Sequence, residues 1–109
     1  MNSEQLRDMA ISALEDVKAD NITILDVREK TDVCDYMVIA SGTSNRHTRS
    51  LGINLSAEMK KADMMPRVEG EEDGEWVLVD LGDVLVHIML PEARERYDIE
   101  SLWSAASRD

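Results

Sequence analysis

Phenylalanine is absent from these 109 residues, aromatics make up only 4%, and there is one cysteine. Without phenylalanine, the core must be filled by Leu, Ile, Val and the seven methionines, which is feasible because hydrophobic residues reach 43%. The lone Cys34 excludes an intrachain disulfide. No His or Cys lies near it in sequence to complete a metal cluster, and the adjacent Asp35 disfavours a thiolate, so it reads as a semi-buried thiol at a strand entrance. Apolar runs such as Val84, Leu85 and Val86 fall far short of the roughly 20 residues that span a bilayer, so no membrane role is expected. The N-terminal residues lack the basic and apolar regions of a secretory signal, which predicts a cytoplasmic protein. Internal repeats and long linkers are missing as well, and the length fits one domain over residues 1–109.

Positive charge is scarce. Twelve basic residues face 23 acidic ones, for a net charge of −11. The imbalance sits in the second half, where residues 68–100 carry 11 acids against Arg94 and Arg96 alone. Such a segment repels phosphate backbones, which disfavours direct binding of nucleic acid through it. It attracts basic surfaces and speeds encounter with them. Solubility alone would explain the same acids, and charge does not separate the two readings.

Along the chain, Leu6, Met9, Ala10, Ala13, Leu14 and Val17 repeat with the spacing of one buried helical stripe. Asn2 or Ser3 can cap that helix, and Asp20 with Asn21 are expected to end it. Residues 22–27 are rich in β-branched side chains and read as a strand. Residues 36–40 are continuously apolar, the pattern of a central strand covered on both faces. After a turn at 41–44, with Thr43 or Ser44 as cap, Leu51, Leu55, Met59 and Ala62 mark a second helix. Residues 65–68 predict a brief strand that Pro66 pushes to an edge, followed by a solvated acidic loop over 69–74. Residues 76–79 and 84–89 then predict a hairpin turning around Leu81 and Gly82. Pro91 opens a short helix, and Asp98 caps a last turn whose Ile99, Leu102 and Trp103 are expected to face the core. The order α-β-β-α-β-β-β-α predicts an α/β fold with a mixed sheet covered by helices.

Two stretches have a more specific character, DYMVIASGTSNRH over 35–47 and GEWVLVDLGDVLVHIMLPE over 74–92. Each joins an apolar strand to a polar cluster in a register that packing alone does not dictate. Together they closely resemble the signature stretches of the Iojap-related ribosome silencing factors, and the likeness runs from the opening helix to Trp103. The resemblance implies an α/β/α sandwich with a central mixed sheet, nucleotidyltransferase-like in its fold. It implies a translational repressor that binds the large ribosomal subunit through ribosomal protein L-fourteen and blocks joining of the small subunit when nutrients run short. No cofactor is implied. A large-subunit assembly role, suggested by organellar relatives, is the alternative, and a homodimer of the free chain is left open.

Nucleotidyltransferase kinship raises the question of an enzyme. Metal-dependent nucleotidyl transfer needs clustered carboxylates, and two on one strand face are spaced i and i+2. Asp80 and Asp83 are three apart across a turn, and Asp26 has no second acid two positions away. The 41–44 turn before a helix could cradle a phosphate, but a helix cap explains the same residues. His47 and His87 read as neutral, hydrogen-bonded rings, with no nucleophile or further metal ligands placed beside them. No catalytic residue and no metal site is therefore assigned.

An obstructing protein needs an anchored patch instead. The hairpin offers Trp76, Leu81 and Met89 as candidate partner-binding anchors, with Asp80, Asp83 and Glu75 as a charged rim. Trp76 follows directly on the acidic loop, although a strand tryptophan serves a core equally well. Leu81 in a tight turn would be costly to expose without a partner. Met37 and Met89 stand where the resembled family often has Phe.

Overall fold

The computed structural model describes residues 1–104. Helix α1 (Ser3–Asp16) begins at Asn2, whose side chain accepts from the Gln5 backbone N–H at 2.7 Å while its own N–H donates to Gln5 Oε1 at 3.0 Å. This reciprocal box satisfies donors that a helix start leaves unpaired. Leu6, Ala10, Ala13 and Leu14 form the buried stripe, with Met9 and Val17 half-buried at its margin. The helix stops earlier than Asp20. Lys18 adopts a left-handed φ of 61°, the Lys18 N–H returns to the Glu15 carbonyl, and the Ala19 N–H returns to Leu14. That closure ends the helix through the backbone, so Asp20 and Asn21 already belong to strand β1 (Asp20–Asp26).

Strand β2 (Tyr36–Ser41) is buried at all six positions, as its unbroken apolar run predicts. Helix α2 (Asn45–Lys61) follows, capped by Ser44, whose Oγ accepts from the His47 N–H at 3.1 Å. Strands β3 (Arg67–Glu69), β4 (Trp76–Asp80) and β5 (Val84–Met89) complete a five-stranded sheet in the order β1-β2-β5-β4-β3. Only β2 and β5 run parallel; the other neighbours are antiparallel, which makes the sheet mixed. Pro66 stands just before β3 at the outer edge, where a missing N–H breaks no ladder.

Helices cover the two sheet faces unequally. On the first face α1 and α2 pack over Val38, Ala40, Val77, Val79, Val86 and Ile88, the main core. On the second face lie helix α3 (Pro91–Tyr97) and helix α4 (Ile99–Ser104), packed against β5 and β1 respectively. They seal Met37, Ile39 and Met89 with Ala93, Ile99 and Trp103. Leu102 departs from expectation: it is 65% exposed. The left-handed Asp98 (φ 47°) breaks one helix into two, and α4 then presents Ile99 and Trp103 to the sheet while Leu102 turns outward.

Arg94 bolts this second layer down. Its guanidinium grips Glu100 through two bonds at 2.8 and 2.9 Å, and donates at 2.9 Å both to Ser41 Oγ and to Thr23 Oγ1. One side chain thus joins α3, α4, β1 and β2. The contact with Arg94 holds the Glu100 carboxyl below its usual range.

Candidate functional site

Helices α3 and α4 sit mainly on β5 and β1; α3 reaches β4 at Trp76, through Tyr97, and the second face is open beyond it toward β3. Alternation along β4 sends Val77 and Val79 into the first-face core, and Trp76, Leu78 and Asp80 to the second face, where each is half-buried. Trp76 and Asp80 therefore stand about 13 Å apart along one strand face. The register sets Asp80 between Arg67 on β3 and Leu85 on β5, and Leu78 between Glu69 and His87.

Trp76 is the centre of this surface. Its indole Nε1–H donates to His87 Nδ1 at 3.1 Å, and its ring lies 4.8 Å from Tyr97 at a 45° tilt. Tyr97, at the end of α3, is 51% exposed, and the Arg96 guanidinium lies 5.1 Å from its ring centroid. Arg96 also pairs with Glu75. Trp76 is thus neither sealed in the core nor loose on the surface. Its backbone is fixed as well: a Cβ on Gly70 (φ 84°) would meet the Trp76 carbonyl oxygen at 2.0 Å, so glycine is required there.

The hairpin turn lies one residue later than expected, and this relocates Leu81. Leu81 N–H donates to the Val84 carbonyl at 2.9 Å, leaving Gly82 (φ 91°) and Asp83 as the two turn residues. Glycine at the first central position suits a type II′ turn. Leu81 then continues the strand alternation inward and is only 5% exposed, packed in the main core. Met89 is fully buried with Ile39 and Ala93, beneath Trp76. Neither side chain reaches the surface; both support it from below. Asp80 accepts from the Gly82 N–H at 2.8 Å, which holds the turn, and Asp83 projects from its tip.

The acidic loop over residues 69–75 is held by its carbonyls. Arg49 of α2 donates to the Glu71 and Glu72 carbonyls, each at 3.0 Å, and Asn45 donates to the Asp73 carbonyl at 2.8 Å. Thr48 Oγ1 donates to the Gly74 carbonyl. The main chain is fixed while Glu71, Glu72 and Asp73 remain exposed. An ordered run of negative charge thus lies on the α2 side of the sheet, immediately ahead of Trp76 in the chain.

Other residues singled out in the sequence have structural partners. His47 accepts from the Thr43 N–H at Nδ1 (2.9 Å) and donates from Nε2 to the Val17 carbonyl (2.7 Å), joining α2 to the end of α1. Asp26 pairs with Arg28 on the edge strand, and this contact holds its carboxyl down to about 2. Cys34 is buried, and burial, followed by the nearby Asp35 charge, pushes its thiol up. Burial lowers His87 to about 4, so its ring is neutral. Among the described residues no group of three or more His, Cys, Asp or Glu could hold a metal ion. No described helix is long and apolar enough to cross a membrane.

Sequence reasoning missed Tyr97 and Arg94. An aromatic within Glu95, Arg96, Tyr97 and Asp98 was a signal for the first; for the second there was none, because the contacts that tie it to the sheet, Ser41 and Thr23, are 53 and 71 residues away.

The family model described as "Ribosomal silencing factor during starvation" matches residues 1–109. A "Ribosomal silencing factor RsfS" from Chromobacterium violaceum is 44% identical over 104 residues, covering 94% of this chain and 85% of that protein. The mouse "Mitochondrial assembly of ribosomal large subunit protein 1" is 36% identical over 107 residues, which cover 94% of this chain and 46% of the mouse protein. A crystal structure of a Chromobacterium violaceum protein superposes with a TM-score of 0.94 at 42% identity, covering all of this chain and 92% of the other.

Proposed function

The chain belongs to the ribosomal silencing factor family, and on that premise we propose that it docks on the large ribosomal subunit through the open end of its sheet and thereby keeps the small subunit from joining during starvation. The action is obstruction rather than chemistry, and no cofactor takes part. The partner in this reading is ribosomal protein L-fourteen, a basic protein of the subunit interface. Residues 1–109 act as one cytoplasmic domain. The nucleotidyltransferase likeness extends to the fold alone.

One observation carries the choice of surface: Trp76 is half-buried at the margin of the α3 cover, braced by His87 and Tyr97, with Asp80 further along the same strand face. A rigid aromatic ringed by polar groups is the usual centre of binding energy at an interface. Asp80 and Asp83 form the rim and steer a basic partner, while Leu81 and Met89 contribute by holding the surface in shape. Isologous pairing of free chains through this face would set acidic rims together, so a homodimer would have to use another surface.

The mouse relative's name, which places it in mitochondrial large-subunit assembly, favours a second reading, an assembly factor that uses the same surface. Sedimentation of purified subunits with the chain added separates the two. Co-migration with mature large subunits and loss of the joined particle is the expected result. Binding confined to immature particles would select assembly, and co-migration with neither would overturn both. Sedimentation of the chain alone decides between monomer and homodimer.

A further inference from the structure

His87 is an anomaly in its strand. Its β5 neighbours Val84, Leu85, Val86, Ile88 and Met89 are all apolar, and His87 itself is only 8% exposed. An indole N–H donates and never accepts, so the bond from Trp76 requires a lone pair on His87 Nδ1. The imidazole proton must then sit on Nε2. Yet Nε2 is buried and has no hydrogen-bond partner among the described residues. Burying a donor without an acceptor is unfavourable, and a leucine at this position would avoid it. Core packing therefore does not explain the histidine. What a leucine would not supply is the acceptor for Trp76.

We propose that His87 is a positioning residue for docking, holding the Trp76 indole through Nδ1 in the orientation presented to the ribosomal partner. This rests on the reading that Trp76 is the anchor. A tryptophan side chain swings about two torsions, and the open face alone would leave it several orientations. Tyr97 restrains one side of the ring, and the His87 bond fixes which edge of the indole points into the sheet. An anchor already in place loses less conformational freedom on binding, which raises affinity without adding a contact. The unpaired Nε2–H follows from the tautomer this arrangement demands.

The test uses the full chain and purified large subunits. His87→Leu removes the acceptor, whereas His87→Asn restores one close to the position of Nδ1. His87→Leu is expected to weaken binding about tenfold, as lost preorganisation would, with His87→Asn recovering most of it. The spectroscopic signature is the Trp76 indole N–H resonance, resolved from that of Trp103. In the wild type it should exchange slowly with deuterium; it should exchange fast in His87→Leu and slow again in His87→Asn. Wild-type affinity in His87→Leu would overturn the proposal, as would equal losses in both variants. If His87→Leu does not fold, the wild-type spectrum decides, and exchange as fast as that of a free indole refutes the bond. Trp76→Ala keeps the premises apart. Retained binding there sinks the docking face itself, whereas binding lost in Trp76→Ala but kept in His87→Leu sinks only the positioning role.

Discussion

Trp76→Ala separates a fold contribution from a docking contribution. Truncating a fully buried tryptophan removes about 3–5 kcal/mol of folding stability. Trp76 is half-buried, and its indole has one bond to His87, a tilted ring contact with Tyr97 and apolar packing on the Met89 cluster. The fold should therefore lose about half the full figure, roughly 2 kcal/mol, which in a chain of this size lowers the melting temperature by about 10 °C. Docking loses a further term. An interface tryptophan carries about 2 kcal/mol or more, roughly a thirtyfold loss of affinity. Circular dichroism melts and large-subunit binding should be measured on one preparation, well below the lowered midpoint. The expected variant is folded at 25 °C, melts early and binds weakly. Leu78→Asn, on the same face but without the indole contacts, provides a second reading of the surface. A Trp76→Ala protein that melts early yet binds with wild-type affinity refutes the assignment of this face.

Four further outcomes follow from the same geometry. Arg94→Ala strips a bidentate partner from Glu100 and should destabilise the chain by about 2–3 kcal/mol, since Glu100 retains some access to water; an unchanged melt would show that α3 and α4 are held by other contacts. Reversing Asp80 and Asp83 to Lys should slow association with the large subunit at low salt, with the difference shrinking as salt rises; equal rates at low salt would reduce these acids to solubilising charge. Because burial lowers His87 to about 4 while an unfolded histidine titrates near 6.5, the unfolded chain binds the extra proton first. Stability should then fall by roughly 3 kcal/mol from pH 6.5 to 4, and His87→Leu should flatten that slope. No Mg²⁺-dependent turnover of nucleoside triphosphates is expected, and labelled product that disappears in Asp80→Asn would reopen the enzyme reading.

Where local pattern decides the structure, the sequence was readable. The α1 stripe, the wholly buried β2 and the pairing of β4 with β5 all follow from periodicity and composition. Backbone closures are harder to see. Lys18 ends α1 through a left-handed φ that any sequence rule gives to glycine, which is why Asp20 and Asn21 were expected to do it. The hairpin shows how much one residue matters. With the turn at Gly82 and Asp83 rather than Leu81 and Gly82, strand alternation carries Leu81 from the surface into the core. Trp76 and the acids stand out in the sequence because their chemistry is unusual for the positions they hold, and their role in docking is the proposal that the binding experiments test. Tyr97 and Arg94 act through contacts that exist only once α3 has folded over the sheet, so no spacing in the sequence encodes them.

On this reading the second face around Trp76 and Leu78, rather than the opposite side of the molecule, meets a basic protein of the large subunit. Photo-crosslinking tests this directly, with one probe replacing Leu78 on that face and another replacing Ile53, an α2 residue 68% exposed on the far side. The probe at 78 should capture a single basic ribosomal protein of the large subunit, and the probe at 53 none. Capture of that protein from 53 and not from 78, or capture of ribosomal RNA from 78, would contradict this reading.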